Sequence, residues 1–269
     1  MTAVAEIAAA KLNLALHVRG RLRDGRHSIE TIFAFCTDGD RLTGEDSEEI
    51  SLEIAGPFAV DLADNDDNLV LKAARALARA AGVSSGAALR LEKRLPVASG
   101  IGGGSADAAA TLRLLTSLWR IDKKYAQEVA PNLGSDVPAC LLSRSARGSG
   151  AGDRLTPMDL SDLSGNPVLL VNPRVPLSTS QVFAAWDGKD RGPLGEWREG
   201  RNDLEEPATA LVPQIGSLLA WLSAQPGARL VRMSGSGATC FALFGSEEAR
   251  DSAAIAVPRE WWHLGTFLR

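Results

Sequence analysis

The chain has 269 residues, 45% of them apolar, and a formal net charge of −4. This is enough for one large domain or two small ones with a sizeable core, and too apolar for a disordered chain. A pI near 5.5 gives no basic excess for holding a nucleic-acid backbone. The three cysteines, Cys36, Cys140 and Cys240, form no CxxC pair, and the three histidines form no HExxH or Cys/His cluster. That pattern argues against a disulfide framework and a side-chain zinc site, and favours a reducing compartment.

In chain order, residues 4–18 and 29–37 have the apolar character of strands, joined by a polar segment with the turn pair Asp24-Gly25. The first segment carries Glu6 and Lys11 and lacks the form of a signal peptide. No uncharged run reaches the roughly 18 residues of a membrane span. A strand over 50–54 precedes a helix over 68–81, with Asp67 or Asn68 as cap, Leu69, Ala73, Leu77 and Ala81 on one face, and Gly82 as stop. A strand over 87–95 leads to a glycine loop and a helix over 105–119. The proline- and glycine-rich stretch 148–167 suggests a domain boundary, giving domains 1–157 and 158–269. Beyond it the pattern predicts a strand (167–171), a helix (179–186), a polar loop (187–201) and a helix (214–224). Then follow a strand (230–233), a second glycine loop, a strand (239–244), a helix (247–254) and a last strand (261–268). Helices mixed with antiparallel-compatible strands indicate an α+β fold.

The first glycine loop sits in LPVASGIGGGSADAAA, where Gly100, Gly102, Gly103 and Gly104 fill four of five positions ahead of a helix. Glycines let backbone N–H groups converge, and the helix start adds unpaired N–H groups and the positive dipole end. The combination suits a phosphate. It is not a Walker A loop, since no Gly-Lys-Ser/Thr appears, nor GxGxxG, because Ser105 occupies the third glycine position; a plain strand-to-helix connection stands beside the phosphate reading. Ser105 has three available roles: helix cap, phosphate contact or Mg²⁺ ligand. The second loop, Ser234-Gly235-Ser236-Gly237, reads alone as a turn. Asp136 precedes Val137-Pro138 and is either a helix N-cap or a general base. Lys11 is either an edge or snorkelling lysine or a cation for a migrating phosphoryl group.

Three separated segments share an identity: Lys11-Leu12-Asn13-Leu14 with Asp24-Gly25-Arg26-His27, then PVASGIGGGSADAAA, then LGSDVP. Together they resemble the GHMP small-molecule kinases. The resemblance continues through Val175-Pro176-Leu177-Ser178-Thr179 to Phe183, Asn202-Asp203-Leu204 and Met233-Ser234-Gly235-Ser236-Gly237-Ala238. It implies a two-domain α+β protein, N-terminally like ribosomal protein S5 domain 2 and C-terminally ferredoxin-like. It further implies ATP with Mg²⁺, held by Pro96, Val97, Ala98, Ser99, Gly100, Ile101, Gly102, Gly103, Gly104 and Ser105, with Ser105 as the metal contact. Asp136 would be the base or orienting carboxylate and Lys11 its partner. The acceptor would be 4-diphosphocytidyl-2-C-methyl-D-erythritol, phosphorylated on its 2-hydroxyl, with Asn13, Arg26, His27 and Phe183 as substrate contacts. One departure is Arg26, where the family commonly has tyrosine; its flat guanidinium either replaces the ring or turns away.

The charge balance and the lack of a signal-like or membrane-length segment point to a cytoplasmic protein that binds neither nucleic acid nor membrane, expected as a monomer or weak homodimer. Two other readings of function stand beside the one the resemblance implies. One is a GHMP kinase for homoserine, mevalonate or a sugar, against which Asn13, His27 and Phe183 speak. The other is a nucleotide-binding regulator without catalysis, against which the retention of both Lys11 and Asp136 speaks.

Overall fold

The computed structural model describes residues 3–62 and 67–269, so Met1 and Thr2 of the N-terminal segment lie outside the described residues. The chain forms two compact units, one of Met1–Ala10, Asp38–Val97 and Gly102–Ser143, the other of Lys11–Thr37, Ala98–Ile101 and Arg144–Arg269. The units interleave in sequence because two long strands, β1 (Val4–Arg21) and β2 (His27–Ser47), each contribute to both. Both strands run further than the apolar pattern indicates. In β2 the charged Asp38, Asp40 and Arg41 interrupt the alternation without ending the strand.

In the first unit, β3 (Ile50–Ala55) pairs in parallel with β4 (Gly86–Glu92), which pairs on its other side with residues 41–47 of β2. Parallel neighbours need a crossover, and here it contains α1 (Leu69–Ala81). Asn68 Oδ1 accepts from Val70 N–H at 2.9 Å to start the helix, and Gly82, at φ 65°, ends it in the left-handed region. Val70, Leu71, Ala73, Ala74 and Leu77 form its buried face. Helix α2 (Gly103–Leu118) is buried along most of its length because small Ala106, Ala108, Ala109 and Ala110 let neighbours approach. Those neighbours are α1, α3 (Lys123–Leu133) and α4 (Val137–Leu142). Helix α3, which the apolar pattern does not reveal, is capped by Asp122, which accepts from Lys124 N–H at 2.8 Å.

In the second unit, the glycine-rich stretch after residue 145 holds two short strands, β5 (Ala146–Ser149) and β6 (Arg154–Pro157), in place of uninterrupted loop. β5 pairs with Thr31, Ile32 and Phe33 of β2. Next come β7 (Pro167–Asn172), α5 (Thr179–Ala185), α6 (Glu205–Leu211), α7 (Gln214–Ser223), β8 (Ala228–Met233), β9 (Cys240–Phe244), α8 (Glu247–Ile255) and β10 (Trp262–Phe267). Their four-stranded sheet has the order β10-β7-β9-β8, antiparallel throughout, the ferredoxin-like arrangement of a β-α-β-β-α-β run. Leu169, Val171, Val182, Ile215, Leu218 and Leu222 centre its core. Each such side chain contributes about 1.5–3 kcal/mol on leaving water.

Residues 187–201 form no helix or strand, yet the segment is fastened. Arg232 donates to the carbonyls of Trp197 (2.8 Å) and Arg198 (2.7 Å), and to that of Leu14. The carbonyl of Gly192 lies 3.2 Å from His17 Nδ1. Leu194 N–H donates to Glu30 at 2.8 Å, and Arg147 donates to Leu194 O. Leu194 and Trp197 are themselves buried. All three cysteines are buried, and none is in a disulfide. Among the described residues no helix is long and apolar enough to cross a membrane.

Candidate active site

Lys11 is buried, only 3% exposed, within the second unit's part of β1. Strand geometry places residues two apart on one side. Accordingly Lys11 Nζ donates to Asn13 Oδ1 at 2.8 Å and lies 5.6 Å from the Phe33 ring centroid. Asn13 Nδ2 donates to Thr31 Oγ1 at 2.8 Å, and that hydroxyl donates to Ala15 O at 2.6 Å. The relay fixes which way the amide faces, with its oxygen toward the ammonium. Lys11 is therefore neither an edge nor a snorkelling lysine, and Asn13 orients it.

The glycine loop spans both units along the chain. In the second unit's portion, Ala98 and Gly100 have φ of 50° and 77°. A Cβ on Gly100 would lie 2.4 Å from Ser234 O and 2.7 Å from Gly237 O, so glycine is demanded there by close main-chain approach. Ser234 Oγ donates to Gly100 O at 3.0 Å and accepts from Asn13 N–H at 3.2 Å. Thr239 N–H donates to Ser99 O at 3.1 Å, and Lys11 N–H to Ile101 O at 2.9 Å. The Ser234–Gly237 segment is thus more than a turn: it docks on Ser99 and Gly100 and braces the strand that carries Lys11 and Asn13.

In the first unit's portion, Gly102 is the N-cap of α2, with φ of 70° and no side-chain capping hydrogen bond. The first amide to find a helical partner is that of Ala106, which donates to Gly102 O at 2.7 Å. The amides of Gly103, Gly104 and Ser105 precede it and form the helix's positive end. Ser105 is within the helix and is not its cap, which removes one of the three roles open to it from sequence.

Beneath this helix start lies a charge cluster that sequence reasoning missed. Lys93 Nζ donates to Asp107 Oδ2 at 2.7 Å and to Asp40 Oδ2, and the three side chains are 1%, 4% and 0% exposed respectively. Asp40 Oδ1 also accepts from the backbone N–H groups of Arg94 (2.6 Å) and Leu95 (2.8 Å). Asp107 Oδ1 is buried without a hydrogen-bond partner. Burial pushes the Asp107 carboxyl up to about 7 against the opposing pull of Lys93, with Asp40 adding to the rise. Burial works against the Lys93 charge, but Asp107 and Asp40 outweigh it and raise its pKa. These residues are up to 67 positions apart in sequence, and only the convergence of β2, the end of β4 and α2 unites them.

Asp136 belongs to the first unit, at the N-cap position of α4, and is half-buried. Its side chain makes no capping hydrogen bond, so the helix-cap role that sequence offered is not taken up. Lys11 and Asp136 thus belong to different compact units.

His27, Phe183 and Trp186 come together in the second unit. The His27 ring stacks on Phe183 with centroids 4.7 Å apart and meets Trp186 edge-on at 5.7 Å. His27 is not a solvent-facing turn residue. Its Nε2 and the Trp186 indole Nε1 are buried without hydrogen-bond partners. Burial, aided by Arg21, lowers the His27 pKa. Arg26 turns to the carboxylates of Asp24 (2.8 Å) and Asp153 (3.6 Å) on the surface.

Comparison with known proteins bears on these arrangements. Residues 68–144 match the GHMP kinases N terminal domain and residues 183–263 the GHMP kinases C terminal domain. A 4-diphosphocytidyl-2-C-methyl-D-erythritol kinase of Rhizorhabdus wittichii is 56% identical, covering 98% of this chain and 94% of the relative. One of Novosphingobium aromaticivorans is 50% identical, covering 98% of this chain and 92% of the relative. A crystal structure of 4-(cytidine 5'-diphospho)-2C-methyl-D-erythritol kinase superposes with a TM-score of 0.84 at 33% identity, covering 98% of this chain and 99% of that one. Homoserine kinase from Cytophaga hutchinsonii shares the fold at a TM-score of 0.75 but only 14% identity, covering 100% and 95% of the two chains.

Proposed function

This chain belongs to the GHMP kinases and, within them, to the 4-diphosphocytidyl-2-C-methyl-D-erythritol kinases, and from that premise we propose that it moves the γ-phosphoryl of ATP to the 2-hydroxyl of 4-diphosphocytidyl-2-C-methyl-D-erythritol, with Lys11 and Asp136 as its catalytic pair. Asp136 takes the hydroxyl proton as the acceptor oxygen bonds to phosphorus and the bond to the ADP oxygen breaks. The Lys11 ammonium compensates the charge spread over the transferring group. The observation that carries this reading is the burial of Lys11 against a neutral amide, which keeps a cation aimed and poorly hydrated where phosphoryl chemistry needs one. The alternative of another GHMP acceptor finds its support only in fold-level likeness.

The residues Pro96 to Ser105 hold ATP in this reading. The amides of Gly103, Gly104 and Ser105 receive phosphate oxygens at the helix start. Among the described residues no group of three or more His, Cys, Asp or Glu could cage a metal ion. In this reading Mg²⁺ would be carried by the triphosphate, whose charge it would neutralise, with the Ser105 hydroxyl as the protein's contribution. His27 and Phe183 read the cytidine end: the ring of Phe183 offers a stacking face, and the unpartnered His27 Nε2 a hydrogen bond to the base edge. Arg26, held by Asp24 and Asp153, gives this end no stacking plane while so paired.

ATP consumption with Mg²⁺ and a panel of 4-diphosphocytidyl-2-C-methyl-D-erythritol, mevalonate, homoserine and galactose tests the reaction. Turnover is expected with the first acceptor alone; preferential turnover of another overturns the acceptor assignment. Replacing His27→Ala should raise the KM for the cytidylated acceptor by about ten- to a hundredfold, the size of one buried hydrogen bond with its stacking. ATP KM should not change. An unaltered acceptor KM would reduce His27 to a packing partner of Phe183.

A further inference from the structure

We infer that Lys93, Asp40 and Asp107 form a positioning cluster for ATP's phosphates: Lys93 ties the chain entering the glycine loop to the helix leaving it, and so sets where the helix-start amides point. The inference rests on the reading that this loop carries the phosphates. None of the three residues needs to touch the nucleotide.

The geometry is specific. Asp40 grips the entrance, since one oxygen accepts from Arg94 and Leu95 N–H just before Pro96. Its other oxygen accepts from Lys93. Lys93 then reaches Asp107, in the second turn of α2, at 2.7 Å. A Cβ on Gly103 would lie 3.1 Å from Lys93 Nζ, so the ammonium lies directly against the first residue of the helix. β2, the end of β4 and α2 are thereby joined through one nitrogen. A purely structural ion pair would be satisfied by one carboxylate. Here a single cation carries two, leaving Asp107 Oδ1 buried and unpartnered, an arrangement that is expensive in a nonpolar interior. Its retention is explained if Asp107 is needed to register the helix start and not to balance charge.

The test separates register from stability. Asp107→Leu removes the tie but leaves the neutral Lys93–Asp40 pair, so the protein should fold and melt close to the native temperature. ADP affinity is expected to fall about tenfold or more, on the scale of a misplacement below 1 Å in a positioning network. Adenosine, which has no phosphate, should bind as before, and the acceptor KM should be unchanged. Asp107→Asn, whose amide oxygen can still accept from Lys93, should recover ADP affinity to within about twofold. Native ADP affinity in Asp107→Leu overturns the proposal. So does an equal loss for ADP and adenosine, or a loss that Asp107→Asn fails to rescue while both variants melt normally. ADP binding to the unaltered protein, measured alongside, reports separately on the phosphate reading: if it is absent, the loop itself is misassigned.

Discussion

Asp136→Asn is expected to lower kcat by about two to four orders of magnitude, the range over which a positioned base acts. The substitution keeps shape and removes the negative charge, and with it the capacity to take a proton. The structure sharpens the expectation, because the Asp136 side chain caps nothing on α4. Loss of a cap would have cost about 1 kcal/mol and confounded the result. The helix start should therefore lose no cap, and ATP KM should stay within about twofold of native. Single-turnover phosphoryl transfer read by quench-flow is the direct check, and a near-native rate would remove Asp136 from the chemistry.

The second large effect is expected from Gly100→Ala. The new Cβ would sit 2.4 Å from Ser234 O and within 2.8 Å of Gly237 N, all main chain, on a residue at φ 77°. The left-handed conformation costs about 1–2 kcal/mol for a non-glycine residue, and the collision adds about 1–3 kcal/mol. The contact between the two glycine loops should open, with a melting temperature lower by on the order of 5–10 °C and ADP affinity reduced at least about tenfold. Near-native ADP affinity in Gly100→Ala would mean that the docking of the loops does not support nucleotide binding.

The glycine loop shows what the sequence made legible and what it hid. The cluster of four and the helix after it are local, so the glycine loop leading into a helix could be read from the sequence alone. That Gly100 serves contact with residues 134 positions later could not be. The same division holds elsewhere. Helix α1 was legible because Asn68 and Gly82 punctuate an amphipathic run. Helices α3 and α6 were not, because Pro131 and Pro207 sit inside them and read as breakers, although the first stands near a helix end and the second near a helix start. β5 and β6 are only four residues each, Ala-Arg-Gly-Ser and Arg-Leu-Thr-Pro, too short to show an alternation, so only their pairing with β2 and with each other identifies them. At the site, resemblance brought Lys11 and Asp136 forward, but the orientation of Lys11 by Asn13 and Thr31 needed the folded strands. The Lys93 cluster left no local mark: in GluLysArgLeuPro a lysine reads as surface.

The way residues 187–201 are fastened has a consequence for how this protein can vary. Arg232 and Arg147 hold the segment through carbonyl oxygens, which every amino acid carries, and Glu30 takes a backbone N–H. Apart from Leu194 and Trp197, which are buried, the identities of the segment's side chains are largely irrelevant to those bonds. The burden of ordering it rests instead on a few residues outside it, on β1, β2, β5 and β8. Besides Leu194 and Trp197, the segment's own fixed positions are few: Asp190, paired with Arg19 at 2.9 Å, and Gly200, whose Cβ would lie 2.8 Å from that of Ala15; its other exposed side chains have room to change, while a change at the distant Arg232 would unfasten residues it never adjoins in the chain.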